Sequence, residues 1–132
     1  MPARDGDTYA LRLGATPKLF IVTCAVSPEA RARGLSGREA LPPGHGMLFL
    51  FDTAAVQGMW MPDMRFPLDI VWLDADLRVV HITEDAPPCP QPSLPSNCPT
   101  HSSRYPVKYA IEMKAGQAGS YGFVPGLQLS VA

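Results

Sequence analysis

The sequence predicts a mainly β (α+β) fold: a small barrel-like or strongly bent antiparallel sheet with one or two short helices. Three observations carry that expectation. Runs rich in branched and aromatic residues recur at 9–13, 18–26, 47–51, 56–61, 68–73, 79–83, 108–114 and 127–131, with turn-forming residues between them. Helix-start signals are concentrated in one place, Ser27-Pro28-Glu29. At 132 residues and 46% hydrophobic content, the chain suits one domain over 1–132, which hides about two thirds of its unfolded surface.

The elements follow in order. Residues 1–8 are polar and expected to be flexible, 9–13 form a short strand, and 18–26 form a strand buried on both faces. Ser27 caps a helix over 28–33, with Pro28 at its first position, Glu29 near its positive end and Gly34 as its stop. Pro42-Pro43-Gly44 ends the arginine-decorated turn that follows. Strands are expected at 47–51, 56–61, 68–73 and 79–83, with Asp74-Ala75-Asp76 as the hairpin turn joining the last two. Residues 86–106 hold seven prolines and no apolar period, so they read as a long irregular loop. A final strand pair, 108–114 with 127–131, brackets a helical turn at 115–121.

Composition excludes several roles. A net charge of −1, from eleven basic and twelve acidic residues, offers no field for gathering phosphates, so no nucleic-acid partner is expected. The longest apolar run covers 47–51, far short of the ~20 residues that cross a bilayer. Residues 1–7 lack the basic start and apolar middle of a secretory signal, which is consistent with a cytoplasmic chain or one already trimmed. A monomer or weak dimer with no cofactor is expected.

Arg33-Gly34-Leu35 with Arg38, Gly46-Met47-Leu48-Phe49 with Phe51-Asp52, Trp60-Met61, Pro67-Leu68-Asp69-Ile70, Leu73-Asp74 and Glu112 with Ala115-Gly116 form, in order and spacing, a pattern that resembles the bacterial and archaeal domain of unknown function 192. The resemblance covers about residues 18–131. It implies a small, mostly β, barrel-like domain, no transferable activity, and an exported or periplasmic, cell-envelope location, because many relatives carry leaders. The chain departs from the pattern at Pro62-Asp63-Met64, where a polar run is usual, at Ser36, where methionine is frequent, and at Leu127, where an acid commonly follows the glycine.

Three constellations carry possible chemistry. Strand alternation puts Asp69, Val71 and Leu73 on one face and Leu68, Ile70 and Trp72 on the other, so Asp69 is buried and needs a partner. Arg33 and Arg38 are the expected partners, through a bidentate pair that ties the helical arm to the barrel, or through an anion that the arginines contact. His45, Met47, Met59, Trp60, Met61 and Met64 supply soft donors and an aromatic face, which either fill a core or hold Cu(I), with His45, Met59, Met61 and Met64 as ligands. Cys89, Cys98 and His101 fit a Cys89–Cys98 disulfide, free thiols or a zinc site that lacks an evident fourth ligand. Cys24, inside an apolar strand, reads as packing.

The function expected is non-catalytic binding of a small ligand or protein partner. Its groove would lie beside Trp60, Met61, Asp63 and Arg65, with Arg33, Arg38 and Asp69 contributing, and would be bordered by the 86–106 loop. Cu(I) handling is the first alternative. A hydrolase using Cys24, or carboxylates among Glu84, Asp85 and Glu112, is the second, although charges at strand ends are usually solvated.

Overall fold

The computed structural model describes residues 2–38, 41–60 and 63–132. Chain order is β1 (Thr8–Leu13), β2 (Leu19–Ala25), α1 (Pro28–Arg33), β3 (His45–Met59), β4 (Leu68–Leu73), β5 (Val79–Ala86), β6 (His101–Lys114), α2 (Gln117–Tyr121) and β7 (Leu129–Val131). The strands make one strongly curled half-barrel sheet in the order β5-β4-β6-β3-β2-β1-β7. The mainly β expectation holds. The sheet is not wholly antiparallel, because β2 and β3 run parallel, and α1 lies in the crossover that such a pair requires.

Local chemistry explains the ends of α1. The Ser27 hydroxyl accepts the Ala30 N–H at 3.1 Å, and the Gly34 N–H donates to the Ala30 carbonyl at 2.9 Å. Gly34 has φ +47, and a Cβ there would lie 3.2 Å from the Phe49 ring, so glycine lets the chain turn down onto β3. Residues 4–7, part of the segment expected to be flexible, are tied to the end of β2. Asp5 Oδ1 accepts the N–H groups of Val26 (2.6 Å) and Ser27 (2.9 Å), and Cys24 exchanges backbone bonds with Gly6 and Asp7.

Two boundaries differ from expectation. The runs 47–51 and 56–61 are expected as separate strands with a turn between them, yet β3 continues through both. Register slips at Leu50/Ala55 and Val56/Gly58 bend the strand instead of ending it. Its second half pairs with the first half of β6, which therefore starts at His101 rather than at 108; the irregular segment shortens to 87–100. At the other end, β7 pairs with β1 and not with the 108–114 strand.

The curled sheet buries both faces. On one, Phe20, Val22, Leu48, Val71, Leu73, Ile111 and Met113 pack with Ala118 of α2 and Phe123. On the other, Met47, Phe49, Leu68, Ile70, Trp72 and Ala110 lie beneath Ala30 of α1, Leu35, Leu41 and Met64. Each of the larger side chains among these contributes about 1.5–3 kcal/mol. Gly46 permits close approach of β3 and β6, since a Cβ there would meet the Glu112 carbonyl oxygen at 2.5 Å.

Candidate functional site

The side chains nearest to a site surround the C-terminal end of α1. A cavity of about 20 Å³ is lined by residues 31–36 from α1 and its turn, Phe49 and Met59 from β3, Trp60, Met64 and Glu112. It adjoins an open groove of about 220 Å³ lined by Arg31, Ala32, Phe49, Phe51, Gly58, Met59 and Trp60. Trp60 is 40% exposed, whereas the second tryptophan, Trp72, is fully buried and donates its Nε1–H to Thr83 Oγ1 at 3.1 Å.

Glu112 closes the inner end. It lies in β6 opposite Met47 on one side and Ile70 on the other, 4% exposed, on the face covered by α1. Among the described residues its carboxyl makes no hydrogen bond or ion pair. Burial raises its pKa from 4.5 to about 8, which favours the neutral form at pH 7. A neutral carboxyl both donates and accepts one hydrogen bond, and the adjoining space is large enough for one water-sized group.

Arg31 frames the outer groove with its charge already committed. Its Nη1 donates to the carbonyls of Val26 and Leu50 (3.0 Å to Leu50), and the guanidinium faces the Asp52 carboxylate at 3.4 Å. Lys108 Nζ donates to the Asp52 carbonyl at 2.7 Å, which adds to the order of this rim.

Asp69 is buried, at 2% exposure, but without an arginine partner. Its Oδ1 accepts the Asp85 N–H at 2.9 Å, and its Oδ2 accepts the N–H groups of Gly116 (2.9 Å) and Ala118 (3.0 Å). The carboxylate therefore ties β4 to the edge strand β5 and to the start of α2. It faces away from α1, on the same side as Val71 and Leu73. The expected pairing with Arg33 or Arg38 is corrected on that ground: both arginines are exposed on the other side of the sheet.

Of the other expected site residues, Arg33, Met59, Trp60 and Met64 meet at the 20 Å³ cavity. Arg38 instead lines a separate space of about 130 Å³ with Arg33, Cys24, Asp5 and Met47. Asp63 and Arg65 are exposed outside both cavities, and the Asp63 N–H donates to Ser93 Oγ of the proline-rich segment at 3.1 Å. Among the described residues, the groove beside Trp60 is walled by α1 and β3, and no residue of that segment lines it. Met61 lies outside the described residues. His45 is at the opposite end of β3 from Met59, its Nδ1 3.1 Å from the Pro43 carbonyl, so the proposed soft-metal set is not brought together.

Cys89 and Cys98 are joined, with Cα atoms 5.2 Å apart. Neither offers a thiolate for a zinc site with His101. The Cys24 thiol is buried, and desolvation, with Asp7 and Asp5 adding, pushes its pKa up to about 11. That is the opposite of nucleophile activation. Glu84 and Asp85 are exposed on β5. By its charge alone Glu112 reads like these solvated residues. The signal that could have found it is its position inside the apolar alternation of Val107, Ala110, Ile111 and Met113.

Fold and site together define a small half-barrel β domain with a buried acid beneath an aromatic groove. The chain belongs to the DUF192 family, described as "Uncharacterized ACR", whose model matches residues 10–131. It is similar to a crystal structure from Sinorhizobium meliloti 1021 described provisionally as a transcription regulator, at 31% identity and TM-score 0.83, covering 98% of this chain and 97% of that one. A protein of unknown function from Novosphingobium aromaticivorans DSM 12444 shares the fold at 24% identity and TM-score 0.77, covering 92% and 83%. No curated protein matches the chain.

Proposed function

We propose that the protein is a non-catalytic binding domain for a small ligand, held in the groove between α1 and the second half of β3. One observation carries this reading: a buried carboxyl, Glu112, with no partner among the described residues, beside a cavity that adjoins a groove walled by Phe49, Phe51 and Trp60. An unpartnered buried polar group costs roughly 1–3 kcal/mol, and a ligand group that completes its hydrogen bonds recovers that cost. Family-pattern residues from separate stretches, Arg33-Gly34-Leu35, Phe49, Trp60 and Glu112, converge on this one cavity.

The alternatives are less well supported. For Cu(I), the described residues bring two thioethers, Met59 and Met64, to the cavity without His45. For hydrolysis, Glu112 has no second acid or imidazole beside it among the described lining residues. The regulator description of the Sinorhizobium protein fits a ligand-sensing role better than DNA reading. The two helices here are six and five residues long and sit on opposite faces of the sheet. The Cys89–Cys98 bond supports an oxidising compartment.

Trp60 provides the test. Because Trp72 is buried, ligand-induced changes in the iodide-quenchable emission report on Trp60. A metabolite panel should yield a compound that protects this emission and whose binding is lost in Trp60→Ala. Binding of that compound, followed by calorimetry, that is unaffected by Trp60→Ala would place the ligand elsewhere and sink the reading.

A further inference from the structure

We propose that the ligand is an organic primary amine: its apolar body lies on Phe49, Phe51 and Trp60, and its ammonium enters the cavity to pair with Glu112. The inference rests on the binding-groove reading and adds the ligand's chemical class.

Size decides the head group. The space against Glu112 is about 20 Å³, and one water needs roughly 10–15 Å³ on that measure. A compact head such as an ammonium suits this narrow space better than a bulky one such as a phosphate. The wall chemistry points the same way. Three aromatic rings line the 220 Å³ groove, and aromatic faces attract cations. The sulfurs of Met59 and Met64 and the buried acid are the groups of the lining that can meet a cation, set against the guanidinium groups of Arg31 and Arg33 in the same lining.

The charged groups around Glu112 permit a cation. On α1 and its turn these are Arg31, whose guanidinium is held toward the Val26 and Leu50 carbonyls and the exposed Asp52 carboxylate, and Arg33, which is exposed and screened by solvent. On β6, Lys108 is engaged with the Asp52 carbonyl and Lys114 is exposed at the strand end. Met47 on β3, Ile70 on β4 and Met64 contribute no charge.

The proton balance is explicit. A protonated amine arrives from solution, the carboxyl O–H bond breaks, its proton leaves to solvent, and a carboxylate–ammonium pair remains. One proton is therefore released for each amine bound, as long as Glu112 begins protonated. Affinity should rise by about tenfold per pH unit below pH ~7.5 and level off above about 8.

The experiment uses the full chain and three probes with one aromatic body and different heads: 2-phenylethylamine, 2-phenylethanol and phenylacetate. Calorimetry at about pH 6.5, in two buffers of different ionisation heat, counts protons, while Trp60 emission reports the site. The expected result is amine binding with release of close to one proton, and at least tenfold weaker binding of the alcohol and the acid. Glu112→Gln should lose at least tenfold in amine affinity together with the proton release. If that variant fails to fold, Trp60→Ala and the proton count on the parent protein still decide. Trp60-dependent binding of the alcohol or the acid at equal or better affinity would overturn the amine assignment while leaving the groove reading intact. Amine binding that Glu112→Gln leaves unchanged, in affinity and in proton count, overturns it as well. No heat and no Trp60 response with the amine at millimolar concentration also overturns it, and the metabolite panel then judges the groove separately.

Discussion

Asp69 and Glu112 are two buried acids on neighbouring strands, one register step apart, since Asp69 faces Met113 and Glu112 faces Ile70 across the β4–β6 pair. They point to opposite faces, and their surroundings differ completely. Asp69 receives three backbone N–H groups from two other segments. Glu112 receives none and sits against a small cavity instead. The contrast separates a structural acid from a candidate binding acid by how fully each is satisfied, because burial alone is nearly the same for both.

The largest effect should come from removing the satisfied acid. Asp69→Ala leaves three N–H groups without their acceptor, that of Ala118 buried and those of Asp85 and Gly116 part-buried, and loosens β5 and α2 from β4, at a cost of about 2–4 kcal/mol. Asp69→Asn keeps one acceptor oxygen but turns an amide toward N–H donors, so it should cost about half as much. Urea unfolding measures both. A loss below about 1 kcal/mol for Asp69→Ala would erase the contrast between the two acids.

Glu112 should show itself through pH. Its pKa is about 8 when folded and 4.5 in the reference state, so between those values the folded protein holds one more proton than the unfolded chain. The contribution of this group to stability is therefore complete below about pH 4.5, falls as pH rises through the window by roughly 1.4 kcal/mol per unit, and is flat above about 8. Glu112→Gln has no proton to lose. The parent-minus-variant stability difference should decline from about pH 5 to 8, with the variant the more stable form above that. An unchanging difference would mean that Glu112 is ionised in the fold.

A smaller effect is expected at Gly116, which has φ +92 and whose N–H reaches Asp69 Oδ2. Gly116→Ala strains that backbone by about 1–2 kcal/mol without touching the carboxylate, so it should weaken the attachment of α2 and leave the Glu112 pH profile unchanged.

The two acids also show what the sequence discloses. Alternation over 68–73 was enough to bury Asp69 and to assign both sheet faces correctly, because side-chain direction in a strand follows from position alone. Its partners were not legible. Backbone N–H groups carry no residue identity, whereas arginines do, so the residue pattern points to Arg33 and Arg38 instead. The cap of α1 was legible because Ser27, Pro28 and Gly34 act locally. The continuation of β3 through Asp52-Thr53-Ala54 was not, since it depends on the first half of β6 lying alongside. Glu112 was hidden for the same reason: the residues that bury it, from Leu35, Met47, Phe49 and Ile70 to Met64, come from four separate stretches of chain.

Arg31 gives the subtlest test of the comparison. It lines the space beside Glu112, yet its guanidinium is held by the carbonyls of Val26 and Leu50 and by Asp52. Because the Asp52 carboxylate is exposed, that ion pair itself is worth little, and the carbonyl bonds carry most of the interaction. Arg31→Gln should therefore cost only about 1 kcal/mol, through those carbonyls, and leave the Glu112-dependent slope of stability against pH in place. If the slope moved to higher pH, Arg31 would be favouring ionisation of Glu112 across the cavity. The acid would then count as a weakly paired one, closer in kind to Asp69, and an incoming ammonium would meet a site already partly balanced by positive charge.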